Sequence, residues 1–362
     1  MSSRDSIKLL QVKALFSEIN VFNILEKIAN TNAPSQTVRF TRAQVIGDII
    51  RSFPGHNLRF DPDYKGTGNS LLWNGEEEPW ILFFAHADQI SYLVESEVDH
   101  NLWRLLPFCK HLSEIEVPAV SLRYSLEQSC LIKMASGHLF SRMERERLIP
   151  YFSLLDGDLQ TGDRIVYDTP LTCREGIAYG NIDNAAGVTA CIIASLSLNE
   201  AFPFSGLGFV FTDEEEGPAE DPVYFARGAR RLFKQIRKPE YCVNVDGHGG
   251  LASGQGNGAF YTEKTGEGVA AITPPDLFRK IKILAEELRS EGILFLENIS
   301  PVSRGDDVAC LEVTSQVLSI GYPSTNRHFD RGLPSVSISD LVHLAKTIFW
   351  LGAYLIKVDD NC

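Results

Sequence analysis

Apolar positions along the chain follow two rhythms, and each rhythm predicts its own kind of element. Over residues 6–30 they recur at helical spacing: Leu9, Leu10, Val12, Leu15 and Phe16, then Ile24 and Leu25. Residues 41–53 have a similar pattern and read as a second helix. Residues 80–84 (WILFF) are apolar without interruption, as expected of a strand buried on both faces. Residues 206–212 (GLGFVFT) and 241–245 (YCVNV) read the same way, and 317–320 as a further strand. Helices are predicted over the Ala-rich 185–198, near 223–236, over 275–290 and over 337–356. Strands alternating with helices predict an α/β fold with a mostly parallel central sheet and helices on both faces.

Residues 94–175 break that alternation. They offer short β-like pieces at 119–123, 131–134 and 164–168, separated by turn residues, with one brief helical piece at 141–147. The expectation is a small β-rich domain inserted into a discontinuous α/β domain of residues 1–93 and 176–362. No internal repeat or low-complexity linker interrupts either part.

Composition narrows the setting. A hydrophobic share of 44% with 22% charged residues is that of a globular chain able to bury a large core. The net charge of −13 argues against nucleic acid as a partner, because phosphates would be repelled. Seven cysteines, odd in number and nowhere spaced as CxxC, indicate neither a disulfide framework nor a zinc knuckle. The first residues (MSSRDSIK) lack the apolar core of a signal peptide. The most apolar stretch, 347–356 (TIFWLGAYLI), falls short of the roughly 18 residues a membrane span needs. No membrane association is expected, and the expected location is the cytoplasm.

Five short stretches carry candidate chemistry, most of them where an apolar strand ends, which is where ligands gather in open α/β sheets. His86 and Asp88 follow WILFF, and in extended chain both point to one side. His86 then ligates a metal while Asp88 fixes its tautomer; the alternative is a structural histidine capping the strand. Asp183, at a loop-to-helix junction, either bridges two metals or caps the helix. Asp213, Glu214, Glu215 and Glu216 close GLGFVFT, and four adjacent carboxylates there raise one another's pKa unless a cation neutralises them. Adjacent glutamates allow one to ligate and its neighbour to act as general base; a solvated acidic turn is the alternative. Asp246 closes YCVNV, with His248 two residues on as a lining or structural residue, and His328 in GYPSTNRHFDRG supplies a second imidazole. Together they make the inventory of a co-catalytic pair of divalent metals. Imidazole and carboxylate without thiolate suit zinc, cobalt or manganese.

These stretches resemble the glutamyl and tetrahedral aminopeptidases, within the clan of di-zinc exopeptidases. The likeness runs from HADQISYLV (residues 86–94) through TGDRIVYDTP (161–170) to EEEG and GYPSTNRH, and so spans most of the chain. The resemblance implies one metal on His86, Asp183 and Asp246 and another on Asp183, Glu215 and His328. It implies Glu214 as general base and Asp88 as the residue orienting His86. It also implies peptide substrates with a free amino terminus and a homo-oligomer, often a dodecamer built through the inserted domain. The chain departs from the family at Asp183-Asn184-Ala185, where an Asp-Asp-Arg-like run is usual, and at 303–307 (SRGDD), where a Gly-Gly-Thr-Asp-like run is usual. These changes remove no ligand and bear on substrate preference and assembly. Arg304, Arg327, Asp306 and Asp307 lie near the site in sequence and either line a specificity pocket or serve as surface and capping residues. Other amide hydrolysis within the clan (a carboxypeptidase or deacylase), or a silent peptide-binding homologue, are the alternative functions.

Overall fold

The computed structural model describes residues 12–359 except 54, 109–111, 113–114, 202–204, 219–225, 250–256, 266–269 and 300–303. Three strands open the central sheet: β1 (Leu58–Asp61), β2 (Ser70–Asn74) and β3 (Ile81–His86). The chain then leaves the sheet for six strands that close a barrel: β4 (Tyr92–Asp99), β5 (Leu102–Pro107), β6 (Val117–Ser125), β7 (Cys130–Glu144), β8 (Arg147–Gly157) and β9 (Arg164–Tyr167). After the short strands β10 (Thr172–Arg174) and β11 (Ile177–Tyr179) it returns through β12 (Leu207–Thr212), β13 (Tyr241–His248) and β14 (Ala259–Thr262). A small ribbon, β15 (Lys264–Thr265) and β16 (Ala270–Ala271), then precedes β17 (Phe295–Glu297), β18 (Val317–Pro323) and β19 (Ser335–Ser337).

The central sheet runs β1-β2-β12-β3-β13-β18-β14-β17. Its middle four strands, β12, β3, β13 and β18, are parallel, while β2 and β14 flank them antiparallel. Alternation within β3 shows why its sequence carries no polar residue before His86. Ile81, Phe83 and Ala85 join one core, with the helices Glu18–Ala29, Arg42–Arg51, Ala185–Ala201, Pro275–Ser290 and Ile338–Asp359. Leu82 and Phe84 face the opposite core, with the helices Arg227–Phe233 and Asp307–Cys310. The fold is therefore the expected α/β arrangement with helices on both faces. Each of these large side chains, fully buried, stabilises the sheet by about 1.5–3 kcal/mol.

Two expectations change. Residues 141–147 are not helical: β7 and β8 form a hairpin whose turn, Arg145 and Glu146, has positive φ of 45° and 68°. A two-residue turn with both φ positive matches the twist of its strands, and the closely spaced charges there lie along strands. The first helix is interrupted: residues 1–11 lie outside the described region, residues 12–15 are helical, and a break at Phe16 and Ser17 precedes the helix from Glu18, which Ser17 caps by accepting from Asn20 N–H. Part of the helix expected near 223–236 also lies outside the described residues; its described portion is Arg227–Phe233. Among the described residues no helix is long and apolar enough to cross a membrane.

Candidate metal centre

Register brings the site together. In the parallel ladders His86 of β3 lies level with Thr212 of β12, and the β3–β13 register, continued past Asn244, puts Asp246 at the same height. Asp246 in turn pairs with Gly321 of β18. The carboxyl ends of adjacent strands thus converge, and two loops add Asp183, just before the helix Ala185–Ala201, and His328.

Around this point three groups of ligand-type atoms overlap: His86, Asp183 and Asp246 form one, Asp183, Glu216 and His328 a second that shares Asp183 with it, and His86, Glu215 and Glu216 a third. Asp183 divides its oxygens between the first two. Its Oδ1 lies 3.3 Å from His86 Nε2 and its Oδ2 lies 3.4 Å from His328 Nε2. Asp246 Oδ1 is 3.7 Å and Glu215 Oε2 3.9 Å from the same nitrogen of His86. All are buried or nearly so.

Asp88 holds the scaffold. Its carboxylate accepts the N–H groups of Glu215 (3.2 Å) and Glu216 (3.1 Å) and the Ser35 hydroxyl (2.6 Å). His86 Nδ1 is 3.2 Å from the Asp88 carbonyl oxygen and 3.5 Å from its carboxylate. One fully buried side chain therefore fixes the backbone of both glutamates while its own residue holds the imidazole. Sequence spacing assigned Asp88 only the imidazole.

Within the acidic turn the structure departs from the assignment by one residue. Glu214 has a left-handed backbone (φ +58°), which sends its side chain away from the imidazoles. Its carboxylate pairs with Arg231, lies 3.8 Å from Arg227 Nη1 and accepts from Gln36 Nε2 at 3.0 Å. Glu215 and Glu216 face the centre instead, and Glu216, not Glu215, groups with Asp183 and His328. Nothing in four adjacent carboxylates signals which of them turns toward the imidazoles.

Electrostatics tests whether metals fit here. Burial pushes Glu215 well above the usual carboxylate range and Glu216 up to about 7, each further raised by neighbouring carboxylates. For Asp183 burial acts in the same direction, but the imidazoles of His328 and His86 outweigh it and hold its carboxyl well below that range. Burial would likewise lower His86, yet Glu215 and the surrounding carboxylates raise it well above its ordinary value. So dense a buried group of carboxylates outnumbers the cationic groups beside it, and Asp183 Oδ1 makes no hydrogen bond. Dipositive ions supply that charge, so the donor set fits a pair of them.

The neighbours of interest fall into place around it. His248 is buried in β13, and burial, then Arg327, lowers its pKa to about 3. Arg327 lies across Gly247, donating from Nη1 to the Gly247 carbonyl at 2.8 Å and standing 4.0 Å from Asp183 Oδ2. Asp306 accepts from Thr212 Oγ1, and Arg304 donates to Asp307 at 3.0 Å.

No family model matches the sequence, and no curated protein does. Solved structures do match in three dimensions. The TET1 peptidase of Pyrococcus horikoshii, described as assembling into a tetrahedron or a large octahedral shell, superposes with a TM-score of 0.67 at 21% identity, over 92% of this chain and 99% of that one. The fold is that of the TET aminopeptidases. Two more share it: aminopeptidase APDkam598 from Desulfurococcus kamchatkensis (TM-score 0.71, 16% identity, 92% of this chain and 94% of that one) and a TET aminopeptidase from Thaumarchaeota archaeon SCGC AB-539-E09 (0.70, 13%, 91% and 96%). In this TET fold the barrel β4–β9 leaves the sheet directly after His86 and Asp88, and the chain passes Asp183 before rejoining the sheet at β12.

Proposed function

We propose that the chain is a two-metal aminopeptidase, removing amino-terminal residues from peptides with a free α-amine. The observation that carries this reading is the division of Asp183 between two imidazoles, one oxygen toward each. His86, Asp183 and Asp246 hold one ion; Asp183, Glu216 and His328 hold the other. Zinc is the first expectation, with cobalt or manganese as alternatives. The ions supply Lewis acidity and a water acidic enough to ionise near neutrality.

The chain's own groups do the rest. Glu215, buried beside His86 but not needed in the second group, takes the proton of the attacking water on its carboxylate and passes it to the departing amine. We give this role to Glu215 rather than to Glu214, for which the resemblance implies it, because the Glu214 carboxylate is held by Arg231 and Gln36. Asp88 keeps Glu215 and Glu216 in place through their N–H groups. In the same reading residues 94–175 form a domain of their own, and copies of the chain assemble. Large apolar side chains exposed on the barrel, Leu126, Leu155 and Met143 among them, support a surface that another copy covers.

The test is metal content together with hydrolysis of aminoacyl-p-nitroanilides by wild type and Glu215→Gln. Two ions per chain in both, with activity lowered about 10²–10⁴-fold in the variant, is the expected result. A wild-type protein that binds no zinc, cobalt or manganese overturns the reading. One that binds two ions yet cleaves only amino-blocked substrates turns it into another amide hydrolase.

A further inference from the structure

Glu214 is too elaborately held to be a spare member of the acidic turn. Its side chain is only 3% exposed, and it pairs with Arg231 and accepts from Gln36 Nε2. Arg231 is itself fixed, its Nε donating to the Thr67 carbonyl at 2.9 Å. Gln36, also with positive φ (77°), gives its backbone N–H to Asp213 at 2.7 Å, and the N–H of Val38 reaches the other oxygen of Asp213 at 3.1 Å. The other end of the Gln36 amide reaches the barrel: its Oε1 accepts from Nη2 of Arg164, in β9, at 2.7 Å. Arg164 lies over the Phe108 ring, 4.0 Å from its centroid, and a side chain at Gly217 would meet the Phe108 carbonyl, so the barrel reaches the turn through Gln36 at one end and lies against it at Gly217.

A left-handed backbone at a residue with a side chain is unfavourable and persists only where surroundings hold it. Here the surroundings are the Arg231 and Gln36 contacts, and the result is that Glu215 and Glu216 follow with both N–H groups on Asp88. We propose that Glu214 is a positioning residue: clamped by Arg231 and Gln36, and tied through Gln36 to Arg164 of the barrel, it sets the turn that presents Glu215 and Glu216 to the metal pair. The proposal rests on the two-metal reading, and its kinetic effect rests also on the aminopeptidase activity. Misplacement of Glu216 weakens the ion on Asp183, Glu216 and His328 more than the ion on His86, Asp183 and Asp246. Because the clamp acts as one unit, losing either partner loses its whole effect.

The experiment uses the full chain with Glu214→Gln, Arg231→Gln, the double variant, Arg231→Lys and Arg164→Met. Cobalt titration followed by absorbance reads the two ions separately, and kcat and KM are measured on a free-amine substrate. The expected result is kcat lowered about 10–100-fold in each single variant, with KM within about twofold, since misplacing a catalytic group costs on that order. The weaker ion loses about tenfold more affinity than the stronger one, as for other groups that orient metal ligands. The double variant is no worse than either single, the coupling that contacting residues show. Arg231→Lys recovers most of the loss, and Arg164→Met shows a smaller loss of the same kind. Losses that multiply in the double variant, equal weakening of both ions, or full activity in folded Glu214→Gln overturn the proposal. So does an inactive Glu214→Gln that keeps both ion affinities, because Glu214 would then be the base. If the wild type cleaves no free-amine peptide, the aminopeptidase reading fails on its own and the cobalt titrations still decide this one.

Discussion

At the scale of single residues, several contacts of the site converge on one side chain. Asp88 supports two backbone amides, a hydroxyl and an imidazole at once, so Asp88→Ala is expected to lower metal affinity about 10–100-fold, read by titration of the metal-free protein. Gly247 shows the same constraint sterically. A Cβ there would stand 2.8 Å from Arg327 Cδ, so Gly247→Ala displaces the guanidinium from its place beside Asp183. The expected outcome is reduced kcat with nearly unchanged thermal stability. His248 carries a pH dependence whose sign follows from its burial. The folded protein keeps it neutral down to about pH 3, whereas the unfolded chain protonates it near its ordinary 6.5. Between those values the unfolded state binds the extra proton, so stability falls as pH drops through that window. His248→Gln is expected to flatten that limb of a pH–stability profile measured by urea unfolding.

Individual elements differ in how plainly their sequence announces them. β3 is legible because Ile81 to Ala85 face two cores and leave no room for a polar residue; the same holds for β12 and for the first part of β13. Truncating Phe83, fully buried and stacked on Phe209 with centroids 5.4 Å apart, is expected to cost about 3–5 kcal/mol. Denaturant unfolding of Phe83→Ala measures it. The residues that meet at the strand ends, His86, Asp183, Asp246 and His328, were readable from their place after apolar runs or at a helix start. The choice among Glu214, Glu215 and Glu216 was not, because it depends on one backbone angle enforced by Arg231 and Gln36 from other parts of the chain. The hairpin at 141–147 escaped for a related reason: with one face of the barrel strands solvated, charges there fit a helix as well as a strand, and the turn at Arg145 and Glu146 lacks the usual glycine.

For the whole molecule, the proposed ions would be linked to the fold. A ligand that binds only the folded state stabilises it by about 2.7 kcal/mol at a hundredfold excess over its dissociation constant. Zinc is therefore expected to raise the melting temperature and a chelator to lower it, as followed by scanning calorimetry. The barrel belongs to the same scale. Leu126 and Leu155 are 88% and 68% exposed, and an isolated chain would leave them in water. If copies assemble through this face as proposed, Leu126→Glu with Leu155→Glu reduces the proposed assembly to smaller species in light scattering. The six residues assigned to ions and proton transfer come from five stretches spread from His86 to His328, drawn together only when β3, β12, β13 and β18 stand side by side. A ribosome adds His328 last of the six, after the whole barrel and most of the sheet have been synthesised. On the proposed function, a half-made chain therefore has no second imidazole with which to complete the metal pair, and the order of translation would keep cutting power out of the unfinished protein.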